Sequence, residues 1–214
     1  MLRISCFLVV LLCMFTSCKD DDATDDQSGS ENFYALKIGN TWTYNYFYRI
    51  GDSDDFENLN VTEKVEITGT TTENTETYFV FTTTTTGDTT HCPLCPDEGV
   101  TNRKLRDSLG FLVDEIGAIY FSRESVSDYL ISENEWGNVY GVLQPENFSI
   151  EVPAGQFSCL NNEVYAILDD GTSSQGRDEI YYSDGIGYIF RKSSTVNNPQ
   201  HMWEKRLMSY ELVE

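Results

Sequence analysis

The chain has 214 residues, 35 of them acidic, 14 basic and 2 histidine, for a formal charge of -21 at pH 7. That balance disfavours nucleic acid and anionic lipid headgroups as partners, because the cations that would neutralise phosphates are scarce. After the first apolar run no second one is long enough to cross a bilayer, so any membrane attachment is expected to rest on lipid.

Residues 1–17 carry one basic residue, Arg3, then an apolar run from Ile4 to Phe15 broken only by Ser5, then Thr16 and Ser17. This is the layout of a secretory signal peptide. At about a dozen residues the run is too short for a permanent span of ~30 Å. Cys18 stands where cleavage is expected, which predicts a lipidated cysteine that becomes the new amino terminus. A buried methylene contributes roughly 0.8 kcal/mol and a single chain anchors only marginally, so two or three acyl chains are expected to hold the protein to outer-membrane lipid. Lys19, Asp20, Asp21 and Asp22 follow at once, and residues 18–32 read as a lipidated cysteine with a flexible, self-repelling acidic tether. The Lys-Asp-Asp-Asp stretch resembles the surface-export signal of Bacteroidota lipoproteins, which implies a cell-surface location.

Residues 33–214 read as a single domain. Setting aside Arg3, Lys19 and the six acids of the tether leaves 29 acidic and 12 basic residues, so the domain itself is acidic. Runs of Thr, Tyr, Val, Ile and Phe alternate with Gly, Asp and Asn, and helical periodicity is nearly absent. The pattern predicts an all-β fold: one curved antiparallel sheet of about ten strands, closed or left open as a barrel.

In chain order, residues 41–49 alternate strictly and put Trp42, Tyr44, Tyr46 and Tyr48 on one face. That face is the candidate ligand-binding wall, against the plainer reading of a packed sheet face. Three phenol hydroxyls in a row need partners if buried, and a wet or ligand-filled concavity would supply them. The acidic loop Asp52, Asp54, Asp55 and Glu57 lacks the glycine and distal glutamate of a calcium loop and reads as solvated. Strands follow at 61–68, 77–86 and 103–113, with the Thr-rich stretches 70–75 and 82–90 forming one exposed hairpin. A short helix is expected around 123–131. Val152-Pro153-Ala154-Gly155, Asp169-Asp170-Gly171 and Asp184-Gly185-Ile186-Gly187 are turns, by the fixed φ of proline and the positive φ open to glycine.

Three cysteines remain in the mature chain, so an oxidising compartment predicts one disulfide and one free thiol. Cys92 and Cys95 are the candidate pair. Pairing of Cys159 with one of them, or a zinc site of His91, Cys92, Cys95 and Cys159, are the alternatives. No Gly-x-Ser-x-Gly, His-Glu-x-x-His or phosphate loop occurs, and His91 and His201 leave few ways to build a triad. The expectation is a non-enzyme with no cofactor, no metal and no catalytic residues.

Four phrases, YALKIGNTWTYNY, VPAGQFSCLNNEVYAI, IYYSDGIGYIFRK and RLMSYEL, together resemble a loose family of Bacteroidota envelope lipoproteins of unknown function. Such domains are similar to the open half-barrel of outer-membrane lipoprotein carrier and insertase proteins. The resemblance implies a curved sheet with an apolar concave face; the exposed apolar loop tip of an insertase is not evident. The expected function is binding of a small apolar or amphipathic ligand. The alternative is a ligand-free component that binds an envelope protein, and a glycan-active enzyme is the least supported reading.

Overall fold

The computed structural model describes residues 32–214 apart from 91, 125 and 126. Thirteen strands form one sheet: β1 Thr41–Arg49, β2 Phe56–Glu73, β3 Glu76–Thr86, β4 Gly99–Ser108, β5 Phe111–Asp114, β6 Ile119–Ser122, β7 Tyr129–Asn134, β8 Gly137–Leu143, β9 Phe148–Val152, β10 Gly155–Leu168, β11 Asp178–Ser183, β12 Gly187–Thr195 and β13 Asn198–Glu211. Their order is β6-β5-β4-β3-β2-β1-β13-β12-β11-β10-β8-β7, with β9 paired to β10, and every pairing is antiparallel. The sheet curls until β6 and β7, its two ends, meet, and the result is a nearly closed barrel. The all-β expectation therefore holds, with thirteen strands in place of about ten. The final strand inserts between β1 and β12 and joins the two halves of the sheet.

Two local expectations are corrected and one is refined. Residues 103–113 are two strands, reversing at Leu109 and Gly110, whose φ values are 53° and 85°. Ser-Leu-Gly is a poor turn signal because leucine at positive φ is strained. The Thr-rich stretches do belong to one hairpin, turning at Asn74 and Thr75, but do not face each other: Thr70 pairs with Phe79, while Thr82 pairs with Glu66. No helix forms around 123–131 among the described residues; Tyr129 opens a strand whose partner Gly141 leaves room for the tyrosine ring.

Two devices close the barrel. Residues 33–36 lie across the end that holds the β4–β5 and β11–β12 turns. There the Tyr34 hydroxyl donates to the Gly110 carbonyl at 2.6 Å and the Gly185 N–H to the Phe33 carbonyl at 3.0 Å. Phe33, Tyr34, Leu105, Leu112 and Phe121 form the apolar plug. At the seam, Asn162 is 0% exposed and its side chain stands in for a missing strand. Its Nδ2 donates to the Ser122 carbonyl and its Oδ1 accepts from the Ser122 N–H, both at 2.8 Å, while the Tyr129 hydroxyl donates to the same oxygen. Outside the barrel wall, β9 packs on β12 and β13, and Cys159 (1% exposed), Val152, Tyr181 and Phe190 are buried together there.

Candidate functional site

The barrel encloses a cavity of about 470 Å³, within the roughly 300–1,000 Å³ of small-molecule sites. Alternation along each strand decides what faces it. From β1 come Trp42, Tyr44 and Tyr46. Tyr48 does not line the cavity; its ring packs against Trp203, which does, with centroids 5.8 Å apart. Phe81, Tyr120, Tyr182 and Tyr188 complete an aromatic wall, with Leu105 beside them.

The polar atoms of the β1 face find partners within the protein. Trp42 Nε1 donates to the Ile186 carbonyl at 2.8 Å, the Tyr44 hydroxyl to the Tyr188 carbonyl at 2.9 Å, and the Tyr46 hydroxyl to Glu63 Oε2 at 2.5 Å. These bonds fix the rings, so the wall is preorganised. The phenols thus need no ligand. Other cavity groups lack partners: Ser193 Oγ and Trp203 Nε1 are buried without a hydrogen-bond acceptor or donor among the described residues.

Sequence reasoning missed the charges inside. Glu63 lies on β2 in phase with Val61, Val65 and Ile67, and Lys205 on β13 in phase with Trp203 and Leu207. A charged residue in the inward phase of an apolar strand was the available signal. Lys205 Nζ sits 2.6 Å from Glu63 Oε1 and over the Tyr44 ring at 4.4 Å, a cation held by one carboxylate and an aromatic box. Burial pushes the Lys205 ammonium below the usual lysine range despite the pull of Glu63. Burial opposes ionisation of Glu63 too, but the Lys205 charge and the hydrogen bonds from Lys205 and Tyr46 outweigh it and hold the carboxyl below its ordinary value. Burial, followed by Glu63, drives the Tyr46 phenol far upward.

A pH dependence follows. Because the folded Glu63 value lies below the ordinary 4.5, its stabilisation is fully present above that pH and is lost as pH falls through the lower, folded value. Thermal melts of the wild type should therefore decline on acidification below pH 4.5, and Glu63→Gln should melt lower at neutral pH with a shallower acid decline. An unchanged acid slope in the variant would refute the assignment.

Cys92 and Cys95 are joined by a disulfide with Cα atoms 5.3 Å apart, and Cys159 is free. Burial pushes the Cys159 thiol up to about 12, so it is an inert core group. The disulfide loop joins β3 to β4 at the end opposite the Tyr34 plug. Cys92 packs with Tyr46 and Val61, and Leu94 and Pro96 reach the cavity. His91 lies outside the described residues, and no cluster of metal-ligating side chains occurs among those described. Cys18 and Lys19, Asp20, Asp21 and Asp22 also lie outside them. Leu109, 92% exposed, stands at the β4–β5 turn, a single exposed leucine of an ordinary kind.

These features define an all-β, nearly closed barrel with a preorganised aromatic cavity, plugged at one end and overlaid by a disulfide-clasped loop at the other. The same fold is found in a protein classed as a lipoprotein from Parabacteroides distasonis ATCC 8503, at a TM-score of 0.50 and 11% identity, covering 84% of this chain and 98% of that one. It is found again in a protein classed as exported, with a YmcC-like fold, from Bacteroides fragilis NCTC 9343, at a TM-score of 0.54, 11% identity and the same coverage of 84% and 98%. No protein-family model matches the chain, and no curated protein matches it. Identity this low carries the fold alone.

Proposed function

We propose that this chain is a lipoprotein of the outer membrane, anchored through Cys18 and exported to the cell surface by Lys19, Asp20, Asp21 and Asp22. Its barrel binds an apolar or amphipathic ligand without transforming it. The observation that carries the binding reading is the cavity of about 470 Å³ whose walls, Trp42, Tyr44 and Tyr46 among them, are held in place by protein hydrogen bonds. The signal-like first 17 residues, and the shared fold of proteins classed as a lipoprotein and as exported, support the envelope location.

Brief proteolysis of intact cells within the tether, followed by native mass spectrometry of the released domain without detergent, tests both parts. Release from intact cells with a stoichiometric mass excess, diminished in Trp42→Ala, is the expected result. Retention of the protein until the cells are lysed would overturn the surface location. A clean apo mass would favour an interaction component of an envelope complex.

A further inference from the structure

The overall charge of the chain is misleading about its interior. Five charged residues line the cavity: Glu63, Arg103, Arg191, Glu204 and Lys205. Four of them are already paired. Glu63 holds Lys205 at 2.6 Å, Glu204 is held by Arg206 at 2.5 Å, and Arg191 meets Asp178 at 2.5 Å. Arg103 is different. No carboxylate lies within ion-pair distance of it among the described residues, and its guanidinium makes no hydrogen bond to them. It is nevertheless positioned: the guanidinium lies over the Tyr120 ring, 4.7 Å from the centroid. Stacking spends the face of an arginine and leaves its N–H edge free. The residue stays solvent-accessible on the cavity wall, between Thr101 and Leu105 in the inward phase of β4. Its charge acts on Glu63, Lys205, Tyr120 and Tyr182, which places it within the same interior field.

An acidic protein that keeps an unpaired, exposed arginine on the wall of an aromatic cavity has a site for a single negative charge attached to an apolar body. The planar fork suits a two-oxygen acceptor, a carboxylate or a phosphate, and charge-assisted bonds of this kind are roughly twice as strong as neutral ones. Buried polar atoms without partners at Ser193 and Trp203 offer two further hydrogen-bond groups on the wall. We propose that the ligand of the barrel is an amphipathic monoanion, its headgroup held by Arg103 and its apolar chain lying along the Trp42, Tyr44 and Phe81 wall. The inference rests on the ligand-binding reading above and names its chemistry. Composition argues against anionic partners for the surface; the topology reverses that inside.

The test uses the mature chain from residue 18, with Cys18→Ser so that no acyl group is present, stripped of bound lipid and kept oxidised. Dodecanoate, dodecyl phosphate and dodecanol are titrated below their micellar concentrations. Binding is followed by calorimetry and by the fluorescence of Trp42 and Trp203. The expected result is a 1:1 complex with one or both anions, at least about ten-fold tighter than with the alcohol, as a charge-assisted bond requires. The stronger of the two anions identifies the source as a free acyl carboxylate or a phosphate headgroup. Arg103→Gln should bring the anions down to the affinity of dodecanol and leave dodecanol within about two-fold, and Arg103→Lys should recover part of the loss. Equal binding of dodecanoate, dodecyl phosphate and dodecanol by the wild type would overturn the anionic headgroup while leaving ligand binding intact. Failure of all three to bind would overturn the ligand-binding reading itself. The wild-type comparison decides between these even if an Arg103 variant does not fold.

Discussion

Replacing Asn162 by leucine should cost about 4 kcal/mol of stability, the largest single loss expected outside the aromatic core. Leucine keeps the branching and the number of heavy atoms and is the bulkier residue, so no cavity term enters. What is lost is a pair of hydrogen bonds to the backbone of Ser122 and one from the Tyr129 hydroxyl, all in a site closed to water. Each buried group left without a partner costs about 1–3 kcal/mol. Elsewhere in the barrel neighbouring strands hold one another by backbone ladders, and one broken side chain is shared over many bonds. At the β6–β10 junction the Asn162 side chain supplies both bonds to the Ser122 backbone. Urea unfolding should show the midpoint shift, and hydrogen exchange should show the N–H of Ser122 losing protection before the β1–β2 ladder does. Loss of less than about 1 kcal/mol would mean that the seam is open to water in solution.

The second large effect is expected at Glu63. Glu63→Leu strands the Lys205 ammonium in an interior where its side chain is only 17% exposed, and leaves the Tyr46 hydroxyl without its acceptor. Breaking one side of such a pair typically costs about 3–5 kcal/mol, most of it the penalty of the uncompensated charge. Lys205→Met in the same chain removes that charge and keeps the stem against Tyr44 and Tyr188. The double variant should therefore be more stable than Glu63→Leu alone, an interaction readable from a double-mutant cycle in urea. Additive losses would show that water already screens the pair through the cavity.

Much of the architecture was legible from alternation alone. The β1 stretch reads as a strand from Thr41 to Arg49, and the turns at Pro153-Ala154 and at Gly185 fall where proline and glycine demand them. The split of 103–113 was hidden because leucine rarely accepts positive φ, and the helix expected near 123–131 rested on local polarity, whereas the structure there is decided by pairing across the seam. Asn162 could not have been recognised: its role depends on the approach of β6, some 40 residues earlier in the chain. The candidate wall was legible in part. Trp42, Tyr44 and Tyr46 face the cavity as alternation requires, but Tyr48, directly opposite Trp203 on β13, packs on that ring instead of lining the cavity. The interior charges were readable in principle, from Glu63, Arg103 and Lys205 standing in the apolar phase of their strands, had phase been weighed above composition.

The position of β13 bears on when the protein can acquire its shape. In the backbone ladder β1 and β12 are connected through this strand, and it is the last of the thirteen to be synthesised. Until those fourteen residues arrive, β1 to β6 and β7 to β12 have no backbone ladder between them, and each has a bare edge at the place the last strand will occupy. Closure of the barrel wall thus waits on β13, and loss of that strand should leave two unpaired sheet edges facing each other, a template for pairing with other chains.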